Sequence, residues 1–265
     1  MRKLSIDTVV RLRSLHRSGQ LARIASAVAS QGAMVGDIHT LSSGEQHTIR
    51  DMTIETADAA QTAAVIDALR QVDGVEVVEV RDTVFEAHRG GKLATASRIP
   101  LESVSDLRTV YTPGVARVCR AIAAEPELAW DHTWLLSSVG IFTNGTRVLG
   151  LGDIGPIASL PVMEGKAVLY QRLVGLSAVP ILVDTKDPEV FIETVARVAP
   201  SFGGIHLEDI RIPDCFRIEE ELIRRLGRPV MHDDQHGTAT AALAALINVS
   251  RLVGRDLRDA TIGQI

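Results

Sequence analysis

Hydrophobic and polar positions follow two regimes along the chain. Over residues 8–85 the runs are short and change period repeatedly. Val10 and Leu12 alternate with Arg11 and Arg13, the period of two expected of a half-buried strand. Ser18-Gly19-Gln20 breaks that pattern and opens a helix striped by Leu21, Ile24, Ala25 and Val28. Residues 33–38 and 48–55 read as two further strands around a turn at 42–46. Val65, Leu69 and Val72 stripe a second helix, Gly74 ends it, and residues 75–80 form the last strand.

The order βαββαβ lets one sheet face be buried under two helices, which predicts a ferredoxin-like α+β module. Residues 86–100, with paired glycines, small residues and a proline, read as the boundary that follows. Beyond them a turn at Thr112-Pro113-Gly114 leads into a helix ending before Pro126. Residues 133–142 and 146–152 read as two strands joined through Asn144-Gly145, a pair suited to a hairpin because both residues tolerate positive φ. From there helices and strands alternate: a helix at 163–174, then strands at 179–184, 204–209 and 228–233. Helices at 188–199 and 215–226 separate them, and an Ala-rich helix runs to Val253. Such alternation predicts an α/β domain with a mainly parallel sheet. The expected division is 1–86 and 87–265, and residues 259–265 resemble the opening of one more strand.

Composition narrows the function classes. The net charge is -5 and there are nine aromatic residues (two Trp, two Tyr, five Phe), a poor match to a nucleic-acid surface. No segment has the eighteen or so apolar residues of a membrane helix, and the first ten residues lack a signal-peptide core. The two cysteines, Cys119 and Cys215, are far apart and suggest neither a disulfide framework nor a zinc knuckle. A reducing cytoplasm is the expected location. Of 28 basic residues only Lys3, Lys92, Lys166 and Lys186 are lysines. Where arginine is the default cation, a lysine can mark a need for an amine that loses its proton.

Several groups could carry chemistry. Gly150, Gly152 and Gly155 spell G-x-G-x-x-G, as in a dinucleotide cradle. Against that reading, Pro156 and Pro161 are expected to interrupt the helix that should follow, and Asp184 lies 29 residues past Gly155 where about 20 is usual. Acids end three strands: Asp184, Glu208-Asp209 and Asp233-Asp234. At Asp184 capping of the next helix is the preferred explanation. The two adjacent pairs fit either caps or oxygen ligands of a hard dication. His232 and His236 imitate the spacing of a zinc-protease helix, but the strand before them and Gly237 after them disfavour zinc. His206 reads as a strand residue.

Four segments, residues 111–116, 146–170, 202–210 and 232–239, together resemble the malic enzymes, particularly the shorter bacterial type. The resemblance covers residues 88–265, while the first 85 residues resemble an ACT domain, a small ligand-binding regulatory module. It implies oxidative decarboxylation of L-malate to pyruvate with NAD or NADP as hydride acceptor. Glu208, Asp209 and Asp234 are then the ligands of Mg²⁺ or Mn²⁺. Lys166 is implied as the general base on the C2 hydroxyl, with Asp233 tuning it, and Tyr111 as the acid that protonates C3. Arg147 is implied to pair with a substrate carboxylate. Read without the resemblance, Tyr111, Arg147 and Lys166 are better explained as a core or turn aromatic, a surface cation and a solvated helix lysine. The family implies a homodimer and, through the ACT-like module, a small-molecule effector.

Relatives of this type continue into a dinucleotide-binding domain, and residues for NAD(P) are therefore not assigned here. The expectation is that these 265 residues bind metal and malate but turn over poorly alone. His206 stands where the bacterial relatives often carry asparagine. Two other readings compete: a malolactic-type lyase on the same scaffold, releasing lactate, and a regulatory fragment providing a dimer surface without catalysis.

Overall fold

Alternate side chains of β1 (Ile6–Leu15) point into the core of the first of two units. Val10 and Leu12 are covered while Arg11 and Arg13 are not. In the computed structural model, which describes residues 6–261 and 263, this unit ends at Gly91 and the second begins at Lys92. Gly19, at φ 77, turns the chain from β1 into α1 (Gln20–Ser30), a conformation glycine adopts without a Cβ penalty. β2 (Met34–Ser43), β3 (His47–Thr56), α2 (Ala59–Arg70) and β4 (Val75–Asp82) complete the predicted βαββαβ order. The sheet is antiparallel with order β2-β3-β1-β4. Asp58 caps α2 by accepting from Gln61 N–H at 2.9 Å.

Ile24 and Val28 of α1 and Val65 and Leu69 of α2 pack on Val10, Leu12, Met52 and Ile54 of the sheet. Each such buried side chain contributes about 1.5–3 kcal/mol relative to exposure. The other sheet face carries ions. Asp51 accepts from Arg11 Nε at 2.8 Å and from Arg81 at 2.5 Å, and Glu79 lies 3.0 Å from Arg11. The stretch expected to be linker from residue 86 starts as helix: α3 (Thr83–His88) is capped by Asp82.

The second unit opens with α4 (Val104–Val110), α5 (Val115–Ala124) and α6 (Leu128–His132). Its sheet contains β5 (Ser138–Thr143), β6 (Ser177–Leu182), β7 (Gly204–Leu207) and β8 (Val230–His232), all parallel in the order β6-β5-β7-β8. The remaining helices are α7 (Pro156–Leu169), α8 (Pro188–Val198), α9 (Asp214–Arg225) and α10 (Asp233–Val253). Every residue of β5 is buried because helices cover both sheet faces. Phe142 joins Phe191, Ile192, Val195, Ile218 and Leu222 of α8 and α9, whereas Ile141 joins Met163 and Ala167 of α7.

Three local expectations fail here. Residues 146–152 are not a strand, because both edges of β5 are already paired with β6 and β7. They lie in a closed loop instead, in which Val148 and Gly152 form a short antiparallel bridge. Gly145, at φ 64, lies so close to Gly155 that a Cβ would strike its backbone, and Gly155 N–H donates to Gly145 at 3.1 Å. The prolines do not block the following helix either. Pro156 opens α7 at its first position, where the missing N–H would have no helical partner anyway, and Pro161 is accommodated inside the helix. Asp184 is exposed and caps nothing, since Asp187 caps α8 by accepting from Glu189 N–H at 2.8 Å.

Candidate active site

From β5 the chain crosses to β6 on one side and later returns to β7 on the other. The loops leaving β5 and β7 therefore diverge from neighbouring strand ends, the position where open α/β sheets bind ligands. They are also stitched together. Arg147 N–H donates to the Asp209 carbonyl at 3.1 Å, and Arg211 N–H donates to Thr146 Oγ1 at 3.0 Å. Leu149 and Asp209 both adopt positive φ, 48° and 56°. For residues with a Cβ this costs roughly 1–2 kcal/mol each, and such strain concentrates at functional sites.

Glu208 and Asp209 follow β7 directly, and Asp233 and Asp234 occupy the first turn of α10. Glu208, Asp209 and Asp234 each bring a carboxylate oxygen within 4.8 Å of the others. Only the α10 pair lies at a helix N-terminus; Glu208 and Asp209 precede α9 by several residues and cap nothing there. Asp209 N–H donates to Asp234 Oδ2 at 2.9 Å, which locks the two elements together. Asp209 is 3% exposed and its Oδ2 is a buried atom without a hydrogen-bond partner. Burial, then the neighbouring Asp234 and Glu208 charges, push its carboxyl up to about 6. Burial opposes ionisation of Asp234 too, but the His232 ring, the Asp209 N–H and the Arg147 charge hold it below the ordinary range.

Lys166, on α7, reaches the same place. Its Nζ lies 2.6 Å from Asp233 Oδ2 and 3.3 Å from Glu208 Oε1. Burial alone would lower the ammonium, yet hydrogen bonding to Asp233 and the Glu208 charge raise it above its usual value. Gly237 makes room for this arrangement, since a Cβ there would collide with the Asp233 carboxylate one turn earlier. Four carboxylates against Lys166 and Arg147 leave a formal surplus of two negative charges. An all-oxygen donor set with that surplus and an orphaned buried oxygen suits a hard dication.

Arg147 is exposed, and its guanidinium makes no hydrogen bond or ion pair among the described residues. It is thus open to an anionic ligand beside Asp234. Tyr111 stands apart at the C-terminus of α4, 64% exposed, its hydroxyl unbonded among the described residues. The structure brings together Lys166, Glu208, Asp209, Asp233 and Asp234, places the Arg147 backbone on Asp209, and leaves Tyr111 outside the cluster.

Three further residues are built into the site. Tyr170 donates from or accepts at its hydroxyl with His206 Nδ1 at 2.8 Å, and His206 Nε2 meets Glu208 Oε2. Their only sequence signal is that His206 and Glu208 stand two apart at a strand end. Glu219, buried on α9, accepts from His232 N–H at 2.7 Å and lies 2.8 Å from His236 Nε2. His232 precedes α10 and His236 lies within it, so the two are not a helical i, i+4 pair: the His236 ring meets Glu219, while the His232 ring meets Gln235 and Asp234. The signal was an acid inside the stripe Cys215, Ile218, Leu222.

Residues 91–189 match the family described as malic enzyme, N-terminal domain, and residues 3–79 match the ACT domain. The chain is 48% identical over 248 residues to NAD-dependent malic enzyme 1 of Bacillus subtilis, covering 93% of this chain and 56% of that protein. It is 49% identical over 236 residues to the NAD-dependent malic enzyme of Geobacillus stearothermophilus, covering 89% and 49%. The crystal structure of malic enzyme from Pyrococcus horikoshii superposes with a TM-score of 0.66 at 44% identity, covering 68% of this chain and 42% of that one. The chain spans about half the length of these curated relatives. No helix is long and apolar enough to cross a membrane among the described residues.

Proposed function

Because the chain carries the N-terminal domain of the malic enzymes behind an ACT domain, we propose that it provides the metal- and malate-binding part of an NAD(P)-dependent malic enzyme. The reaction is oxidative decarboxylation of L-malate to pyruvate and carbon dioxide. The observation that carries this reading is the convergence of Glu208, Asp209 and Asp234 beside the Lys166–Asp233 pair, with one buried Asp209 oxygen unpartnered. Mg²⁺ or Mn²⁺ held by those three carboxylates would supply Lewis acidity at the oxygens of the bound hydroxy acid.

Lys166 is the general base. Hydride loss from a secondary alcohol requires removal of the hydroxyl proton. The Lys166 ammonium, raised in the metal-free chain by Asp233 and Glu208, would become able to lose its own proton once a bound dication offsets those charges. Asp233 orients Nζ at 2.6 Å and stabilises the ammonium once the proton has been taken up. Arg147 binds a malate carboxylate through its open guanidinium fork. Tyr111, exposed and outside the cluster, protonates C3 after carbon dioxide leaves, reaching the site of a second copy in a homodimer. NAD or NADP accepts the hydride, and no residue of this chain is assigned to it. The ACT domain binds a small-molecule effector.

The test is calorimetric titration of L-malate with and without Mn²⁺. Binding is expected only with the metal present, and weakened at least tenfold in Arg147→Gln. Malate binding that ignores both the metal and Arg147 would overturn the assignment.

A further inference from the structure

The contacts of His206 reach beyond the roles just assigned. Its ring is 2% exposed and is fixed at both nitrogens, by the Tyr170 hydroxyl 2.8 Å from Nδ1 and by Glu208 Oε2 at Nε2. A neutral imidazole has one N–H and one acceptor nitrogen. The carboxylate can only accept, so in the neutral ring the N–H sits on Nε2 and Nδ1 accepts from the tyrosine. Tyr170 stands where α7 passes into a π-helical turn, Tyr170–Val174, closed by Gly175 at φ 71. The rings meet edge to face, with centroids 5.5 Å apart and planes at 87°. Tyr170, His206, Lys166 and Asp233 all line one cavity of about 190 Å³.

We infer that Tyr170 and His206 are positioning residues that orient the Glu208 carboxylate for the metal and divide it from the base. This rests on the reading of Glu208, Asp209 and Asp234 as metal ligands. With one Glu208 oxygen anchored by His206, the carboxylate enters metal binding without losing a rotamer. Lys166 is then not the only hydrogen-bond partner of Glu208, and Nζ is left with its shorter contact, to Asp233. Outer contacts that orient a ligand typically affect metal affinity by 10- to 100-fold.

Mn²⁺ titration followed by the electron paramagnetic resonance of the free ion tests this on the chain and three variants. His206→Leu is expected to bind at least tenfold more weakly, and Tyr170→Phe several-fold more weakly. His206→Gln, whose side-chain amide N–H can replace the Nε2 donor, is expected within threefold of the unchanged chain. Long-range ¹H–¹⁵N spectra of the metal-free chain are expected to show neutral His206 as the Nε2–H tautomer, and the same tautomer in Tyr170→Phe, where the Glu208 carboxylate still accepts from Nε2. Equal Mn²⁺ affinity in all three variants, or a proton on Nδ1, overturns the inference. If His206→Leu does not fold, Tyr170→Phe decides, because it removes one hydroxyl and keeps the ring. Failure of the unchanged chain to bind Mn²⁺ overturns the metal reading and this inference together. Binding by the unchanged chain that Asp234→Asn abolishes, but that His206→Leu and Tyr170→Phe leave unaltered, overturns this inference alone.

Discussion

Both units keep charged side chains out of water, and they balance them differently. On the open sheet face of the first unit, Asp51 is 14% exposed and accepts from two arginines, while Glu79 takes up a further contact from Arg11. Arg11 first, through its hydrogen bond, and then Arg81 hold the Asp51 carboxyl below its ordinary value despite burial. At the strand ends of the second unit, Glu208, Asp209, Asp233 and Asp234 outnumber Lys166 and Arg147. There the Asp209 carboxyl is pushed up to about 6 and one of its oxygens has no partner. A balanced network supports the fold itself. An unbalanced one, beside two residues of positive φ, is the arrangement that the proposed dication would neutralise.

The largest effect that separates the two networks concerns metal. Asp234→Asn and Asp209→Asn are each expected to weaken Mn²⁺ binding at least 100-fold, about 2.7 kcal/mol of linked stabilisation at saturating metal. Without metal, relief of repulsion should leave Asp209→Asn as stable as the parent or more so, whereas Asp234→Asn should lose stability, because the His232 ring, the Asp209 N–H and the Arg147 charge favour its carboxylate. Calorimetric titration and thermal unfolding with and without Mn²⁺ check both halves. Lower metal-free stability in Asp209→Asn would place that acid with the balanced network.

The pH dependence should then run in opposite directions. Asp209 has a folded pKa of about 6 against 3.8 for the ordinary group. Its folded-state contribution is most favourable below about pH 4 and is lost as pH rises through about 6, a change of about 3 kcal/mol. Asp51 is depressed, so its contribution is present above the ordinary pKa and is lost as pH falls through the lower folded value. Denaturant melts of metal-free parent, Asp209→Asn and Asp51→Asn between pH 3 and 8 should give difference curves of opposite slope. Parallel curves would remove the distinction.

At neutral pH, Asp51→Asn is expected to cost about 2 kcal/mol, since it leaves two partly exposed arginines without their shared carboxylate. Glu76→Gln provides the smallest effect. Its pair with Arg13, at 3.4 Å, is exposed on both sides, and the change should stay within about 0.5 kcal/mol by urea unfolding. A larger loss there would mean that pairing at the surface counts as much as pairing under cover.

Periodicity located every strand of the first unit and most elements of the second because burial repeats with the geometry of each element. It misled at residues 146–152, where a run of plausible strand residues follows a plausible hairpin turn. Nothing local reveals that β5 will be paired on both edges by strands arriving later in the chain. The same blindness applied to the prolines, whose tolerance depended on where α7 begins. At the site, acids at strand ends and a rare lysine were visible as residue types. Tyr170 was not, because a tyrosine ending a helix carries no local mark, and Glu219 was marked only by its place inside the apolar stripe of α9.

The sequence by itself determined the two modules, their layer types and the identity of the charged residues near the strand ends, since these depend on composition and short-range period. It also carried the four segments that resemble the malic enzymes. Only the tertiary structure decided which charges meet. Lys166 and Asp233 are 67 positions apart, Asp209 and Asp234 are 25, and Tyr170 and His206 are 36. Those distances close only when the crossovers around β5 bring α7, the end of β7 and the start of α10 to one edge of the sheet. Whether each charge is balanced or left in surplus follows from that convergence, because a carboxylate's cost depends on the dielectric and the partners around it rather than on its neighbours in the chain.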